Sequence, residues 1–391
     1  MTSSEVYFVE PSSELFVEET EFSLRQAFDK KTLLLLSFAV IVLFIYLYLG
    51  NVSIFTMLEI MLSADLIILV SGAFFTFIAI LFDTLAWKIL LGISSIRPST
   101  SAVYRIQLAS FSYGLLIPSA GAIESLMRIA LGTKTFINER ENRNATSGEI
   151  LSSVVAHRLC GLIAFIPIST FVAFAMLKYF SNIIEHRTGQ PLSDDVAIIF
   201  VLIISLLSIL VIIFFILIAI SPNMAKRVVT LILKALYPFP LVGRFAKDAI
   251  EPSEKIIDDF SIQFKYLAQN KLLSFVTLIL AFFSQVAHWI SIYLILHSIG
   301  IQILLDQVAA INFLGGTIDA IPVGIPGMAG LKEITLTVFL EMGLNLGTDT
   351  SAAGAILVQL VKFYFIIITG IFAYIAGKTR VTSKELKEIS I

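Results

Sequence analysis

The chain has 391 residues, of which 57% are hydrophobic and only 14% charged, with a formal net charge of -2. A soluble protein carries about 25% charged residues, so the composition excludes a soluble enzyme and points to an α-helical polytopic membrane protein, and no basic low-complexity tract suggests nucleic acid. Cys160 is the single cysteine and sits in an apolar run, so neither a disulfide framework nor a cysteine metal cluster is expected.

Residues 1–31 are polar and acidic, with Glu5, Glu10, Glu14, Glu18, Glu19 and Glu21. They lack the basic start and apolar core of a secretory leader and are read as a cytoplasmic tail. Residues 32–49 form the first apolar run, about 27 Å long as a helix, enough to span a bilayer. Residues 64–91 are a second, longer span. Residues 103–117 reach only about 22 Å, short of the ~30 Å hydrocarbon core. There the sequence breaks at Leu-Ile-Pro118-Ser-Ala-Gly121-Ala, and residues 122–131 form a short helical piece opening with Glu124. Residues 149–180 and 196–220 are long spans, followed by a polar stretch over 221–271. Residues 272–297 span again. Residues 307–321 are again too short, ending in Ile-Pro322-Val-Gly-Ile-Pro326-Gly327-Met-Ala-Gly330, and residues 331–342, with Glu333, follow as a short piece. Residues 350–377 are the last span, and 378–391 a polar tail.

Pro removes a backbone donor and Gly relaxes the chain, so neither broken stretch continues as one helix. In lipid such breaks are tolerated only where protein or a water-filled cavity covers the freed groups. The order of span, span, broken pair and span occurs twice, which is an internal repeat in hydropathy.

The distribution of basic residues decides whether the broken pairs cross. If both dip and return, nineteen lysines and arginines lie on the cytoplasmic side and Arg187 alone lies outside. If both cross, nine lie inside and eleven outside. The positive-inside rule selects the first arrangement. The expected fold is therefore all-α and polytopic, with two inverted-topology repeats. Each repeat has three transmembrane helices and one re-entrant helical hairpin. The first repeat covers 32–180 with its hairpin at 103–131. The second covers 196–377 with its hairpin at 307–342 and a cytoplasmic insertion at 221–271. Both termini are expected in the cytoplasm and the hairpin tips near the membrane midplane. Within the insertion, Val228, Leu231, Ile232 and Leu236 recur at helical spacing beside Lys226, Arg227 and Lys234, as in a helix lying on the inner membrane surface. A second helix is read over 244–267, with Ile256, Ile257, Phe260, Phe264 and Leu267 on one side. A solvated connector packed on the bundle is preferred to a regulatory segment.

A charge at the centre of a membrane helix costs about 2.5–3.5 kcal/mol. Asp83, Lys88, Arg105, Glu124, Arg128, Arg158, Asp319, Lys332, Glu333 and Lys362 nevertheless lie in apolar segments. Arg158 and Lys362 fall near the midplane in corresponding spans. Glu124 and Arg128 share a helix face at i, i+4. A helix starting at a hairpin tip turns free N–H groups and its positive dipole end toward mid-membrane, here around Gly121, Gly327 and Gly330. With Arg158 and Lys362 added, that place suits an anion of phosphate size. The candidate head-group site is Arg158, Lys362, Glu124, Glu333, Arg128, Gly121, Gly327 and Gly330, with breaks at Pro118, Pro322 and Pro326. Against it stands a closed network in which Glu124 and Glu333 cap their helices and pair with Arg158 and Lys362. Arg128 and Lys332 are read as snorkelling from helix ends, and Asp83 and Lys88 as structural. His157, His288 and His297 lack metal-ligand spacing and are read as packed polar groups. Asp194, Asp195, Asp258 and Asp259 are read as solvated loop charges.

The Pro-Ser-Ala-Gly…Glu…Arg hairpin, Ala156-His157-Arg158-Leu159, the Pro326-Gly327…Gly330…Glu333 hairpin and the last span with Lys362 resemble the flippase-like family of the lysylphosphatidylglycerol synthase transmembrane region over residues 30–380. Where that family has Glu-Arg-x-x-Asp, this chain has His157 and Gly161 around Arg158, and Lys362 stands where Arg is usual. The resemblance implies movement of aminoacylated phospholipids or polyprenyl-linked sugars. It also implies a stand-alone translocator, since neither an aminoacyl-transferase nor a glycosyltransferase domain is fused to the membrane region. The expected function is thus a plasma-membrane lipid translocase, not an enzyme. It passes an anionic phospholipid or polyprenyl-phosphate-linked head group between leaflets, without cofactor, metal or nucleic acid. Two alternatives share parts of this pattern: a transporter of a small soluble anion, and a membrane-embedded transferase on lipid-linked phosphate. The second requires a positioned base and usually a metal, for which no motif is present.

Overall fold

A computed structural model describes residues 30–116, 122–190, 221–235, 237, 254, 257–258, 269–319 and 330–375, with isolated positions between 199 and 217. The described residues are helical apart from the connecting turns and one small β hairpin of two-residue strands. Helix α1 (Lys30–Leu49) ends at Gly50-Asn51, where Asn51 takes a left-handed φ of 52°. The chain then bends by 106° into α2 (Ile54–Leu62), a short helix that the hydropathy had not separated from its surroundings. Asp65 caps α3 (Leu66–Ile93) by accepting the Ile67 and Ile68 N–H groups.

Helices α4 (Thr100–Leu116) and α5 (Ala122–Thr135) pack side by side. Tyr113 meets Met127 near the break, while Val103 and Ile106 cluster with Ile129 and Leu131 farther away, so the two run antiparallel. Strands β1 (Ile137–Asn138) and β2 (Arg143–Asn144) close a tight antiparallel turn. A capping box between Thr146 and Glu149 then starts α6 (Ser147–Thr188), which Gly189 ends in the left-handed region. Its 42 residues extend about 63 Å, more than a bilayer needs. The second half continues with α7 (Pro222–Ala235), α8 (Lys271–His297), α9 (Leu305–Asp319), α10 (Leu331–Val338) and α11 (Thr348–Ile375). A π-helical turn, Leu360–Tyr364, interrupts α11. Helices α3, α8 and α11 are each long and apolar enough to cross a membrane, as is the α1–α2 pair if taken as one broken span. The protein is a multi-pass, all-helical membrane protein. The expected span at 196–220 is described only at isolated helical positions, and the breaks at Pro118, Gly121, Pro322, Pro326 and Gly327 lie outside the described residues.

The most extensive helix contact joins α3 to α8. Thr76 and Ser291 share a hydrogen bond of 2.7 Å, Gly72 lies against Ser291 and Ile295, and Phe82 stacks near Phe283. Ascending residues on one helix meet descending residues on the other, so the two are antiparallel. Close approach at a glycine and a hydroxyl–hydroxyl bond are how helices adhere where lipid is as apolar as leucine. Two further contacts cross between the halves. Ser112 of α4 donates to the Ile366 carbonyl of α11 at 2.9 Å, and Tyr179 of α6 donates to Asp306 of α9 at 2.7 Å. Outer faces keep Leu66, Ile67, Val70, Phe74, Leu272 and Phe275 exposed, as a lipid-facing surface requires.

The insertion packs on the bundle through Ala225 and Ile257, which cluster with Leu159 of α6. Asp258 stands on a helix rather than in a loop but is exposed to solvent, as expected, and pairs with Lys226 at 2.5 Å. Met224, Leu231 and Ile232 of α7 remain exposed next to Arg227 and Lys234, an apolar stripe with a basic flank.

Candidate functional site

A cavity of about 690 Å³ opens where the two halves meet. Arg158 of α6 and Lys362 of α11 both line it. Lys332 at the start of α10 lines it as well. Helices α3 and α8 contribute Asp83, Gln285 and His288, and α9 contributes Asn312. Between these polar groups the wall is apolar, with Ile80, Phe111, Leu115, Ile292, Phe363 and Ile366.

From the first-half wall an ionic cluster runs inward to the buried Glu124 and Arg128. The i, i+4 spacing on α5 puts Arg128 against Glu124, and an Nη2 donates to the carboxylate. The other Glu124 oxygen accepts from Arg158 across to α6. One carboxylate therefore bridges two guanidinium groups. Arg128 also donates to His157 Nδ1 at 3.0 Å, and His157 Nε2 lies 3.6 Å from Asp83 Oδ1. Gln107 of α4 donates to Asp83 Oδ2 at 3.3 Å. Trp87, tied by its indole N–H to Ser153 of α6, presents its ring to Arg128 at 5.3 Å, and Phe111 presents its own at 5.5 Å. Cation–π contacts of this kind are worth about 2 kcal/mol when desolvated.

Arg128 was expected to snorkel from a helix end. It is 1% exposed, because its partners all lie inward. Lys332 likewise stays inside, 7% exposed, with Nζ 5.6 Å from the Phe363 ring. Asp83 and His157, expected only to pack, border the cavity, whereas Lys88 donates to Thr100 at 2.8 Å away from it.

In the second half, Asn312 donates to Gln285 at 3.3 Å, and Lys362 donates to Asn312 at 3.4 Å. The π-helical turn carries Lys362; such turns shift side chains out of α register and recur at functional sites. Glu333 is 3% exposed and does not border the cavity. Its carboxylate turns back to accept the Gly330 N–H at 2.7 Å, and Gly330 has φ of 81°. That amide is therefore taken by the helix's own carboxylate and is not open to an anion, contrary to the expectation for Gly330. Among the described residues no group of three His, Cys, Asp or Glu is placed to hold a metal.

His288, read from the sequence as a packed polar group, borders the cavity, and Gln107, Gln285 and Asn312 were not singled out from the sequence. The available signal was weak: each is a lone polar residue in an apolar run, and Gln107 and Asn312 occupy comparable positions in the two short helices.

No curated protein and no solved structure matches the chain. The model of the lysylphosphatidylglycerol synthase TM region matches residues 34–370. With an all-helical, multi-span fold around a charged cavity and a match over most of its length, the chain belongs to the family of the lysylphosphatidylglycerol synthase transmembrane region.

Proposed function

We propose that the protein is a lipid translocase that holds an anionic phospholipid or polyprenyl-phosphate-linked head group in the central cavity and passes it between leaflets. The observation that carries this is one cavity, lined by Arg158, Lys332 and Lys362 and otherwise largely apolar. Lysines and arginine supply charge-assisted donors for a phosphate, and the apolar wall suits the start of an acyl or prenyl chain. A small soluble anion has no use for that wall, so lipid is preferred. A transporter is preferred to a transferase, with no partner required beyond the lipid itself.

The contacts between the halves support an inverted repeat. Equivalent helices α3 and α8 run antiparallel, and Ser112–Ile366 and Tyr179–Asp306 each join a short helix of one half to the last span of the other. The antiparallel packing of α4 on α5 supports a re-entrant hairpin. The basic-residue distribution supports cytoplasmic termini, and the plasma membrane is the proposed site of action.

The test is reconstitution into vesicles with fluorescent phosphatidylglycerol and measurement of leaflet exchange. Arg158→Ala and Lys362→Ala are each expected to lower exchange at least tenfold. Full exchange by the double variant overturns the proposal, and exchange only of a soluble anion moves the function to the solute class.

A further inference from the structure

The cluster behind Arg158 has a property that anion binding alone does not use. Asp83 and Glu124 balance Arg128 and Arg158, so the cluster is neutral only while His157 is uncharged. The hydrogen bonding fixes which tautomer that is. A guanidinium can only donate. Since Arg128 donates to His157 Nδ1 at 3.0 Å, Nδ1 is the acceptor and the single ring proton sits on Nε2, toward Asp83. A second proton would go to Nδ1, where it would meet the Arg128 N–H. Taking it up therefore breaks the Arg128–His157 bond.

The groups facing His157 come from several elements. Asp83 stands on α3, Glu124 and Arg128 on α5, and Arg158 next to it on α6. Lys332, Lys362 and His288 line the cavity that His157 borders. The insertion packed at Leu159 brings Lys226 and Asp258, which pair with one another. His157 is 5% exposed, and the Nε of Arg128 has no hydrogen-bond partner among the described residues, so Arg128 has a donor available to a new acceptor.

An anionic head group arriving on Arg158 competes with Glu124 for that guanidinium and adds one negative charge beside the buried Glu124–Arg128–His157 contacts. A proton on His157 restores the balance. It also frees Arg128 from the imidazole to serve Glu124 alone. We infer that His157 is a proton-binding site coupled to the cavity, filled when an anionic lipid occupies Arg158 and emptied when the lipid leaves. The inference rests on the lipid-cavity proposal above. No bond other than N–H is made: water supplies the proton to Nδ1 and takes it back. Linkage makes the coupling reciprocal, so acid must tighten anion binding as much as the anion favours the proton.

The experiment is calorimetric titration of the full-length protein in phosphatidylcholine nanodiscs with dioctanoyl phosphatidylglycerol. It is run in two buffers of different ionisation enthalpy between about pH 5.5 and 8, alongside imidazole 15N spectra of the histidine-labelled protein. Without lipid at the upper pH, the signal that His157→Gln removes is expected in the neutral form with its proton on Nε2. With lipid, about one proton is taken up per lipid bound, and over the pH range where that holds affinity rises about tenfold for each unit of acidification. Gln at 157 can still accept from Arg128 but cannot titrate, so His157→Gln abolishes the uptake per lipid bound, whatever its effect on affinity. An Nδ1–H tautomer, lipid binding without proton uptake, or uptake that survives His157→Gln overturns the inference and leaves the lipid cavity standing. Absence of binding by this anionic lipid at every pH overturns the lipid-cavity proposal, and the inference falls with it.

Discussion

A Cβ built on Gly114 would stand 2.9 Å from the Cβ of Glu124. The first hairpin therefore closes backbone against side chain at the residue that bridges Arg128 and Arg158. Seating of the ionic cluster and packing of the hairpin are one event.

Gly114→Ala must push α5 away or tilt Glu124. We expect a loss of about 1–3 kcal/mol, as for overpacked cores, read as a lower melting temperature in detergent, together with slower lipid exchange. Gly92→Ala, where a Cβ meets nothing within 4 Å, is the control and is expected to melt no lower than the parent.

Helices α4 and α11 cross at Gly370, where a Cβ would fall 1.7 Å from Ser112 Oγ and 2.5 Å from the Leu108 carbonyl oxygen. Gly370→Ala is expected to prevent this crossing, with a sharp drop in folded yield on size-exclusion chromatography. Since the second obstacle is backbone, Ser112→Ala added to Gly370→Ala is expected not to restore it. Recovery would mean that the helices cross elsewhere.

Glu124→Gln leaves two guanidinium groups sharing no carboxylate, one of them 1% exposed. Removing one partner of a buried pair costs about 3–5 kcal/mol. The single variant is expected to be strongly destabilised, and Arg128→Met combined with it to recover part of that loss. A double-mutant cycle on thermal stability measures the coupling, and additive losses would count against the bridge.

On α7, Leu231 is 71% exposed beside a basic flank. Such a helix settles at the headgroup boundary. A spin label at Leu231→Cys, in an otherwise cysteine-free protein, is expected to be quenched by a lipid-soluble reagent and shielded from a water-soluble one. The same label at Arg227→Cys is expected to show the reverse.

The membrane class was legible from composition, because a bilayer core tolerates few charges and demands long apolar runs. The span read from residue 64 begins as a helix at Leu66, just after Asp65, whose carboxylate offers the first amides an acceptor. The pairing of Glu124 with Arg128 was written in a spacing of four residues, since that spacing alone makes neighbours on a helix. The inward course of Arg128 and Lys332, the meeting of Asp83 with His157 and the short helix α2 were not legible. Membrane helices are apolar toward lipid and toward each other, so periodicity does not tell an inner face from an outer one. Only packing between helices distant in the chain decided which intramembrane charges line the cavity, as Arg158 and Lys362 do, and which, like Arg128, stand behind its wall.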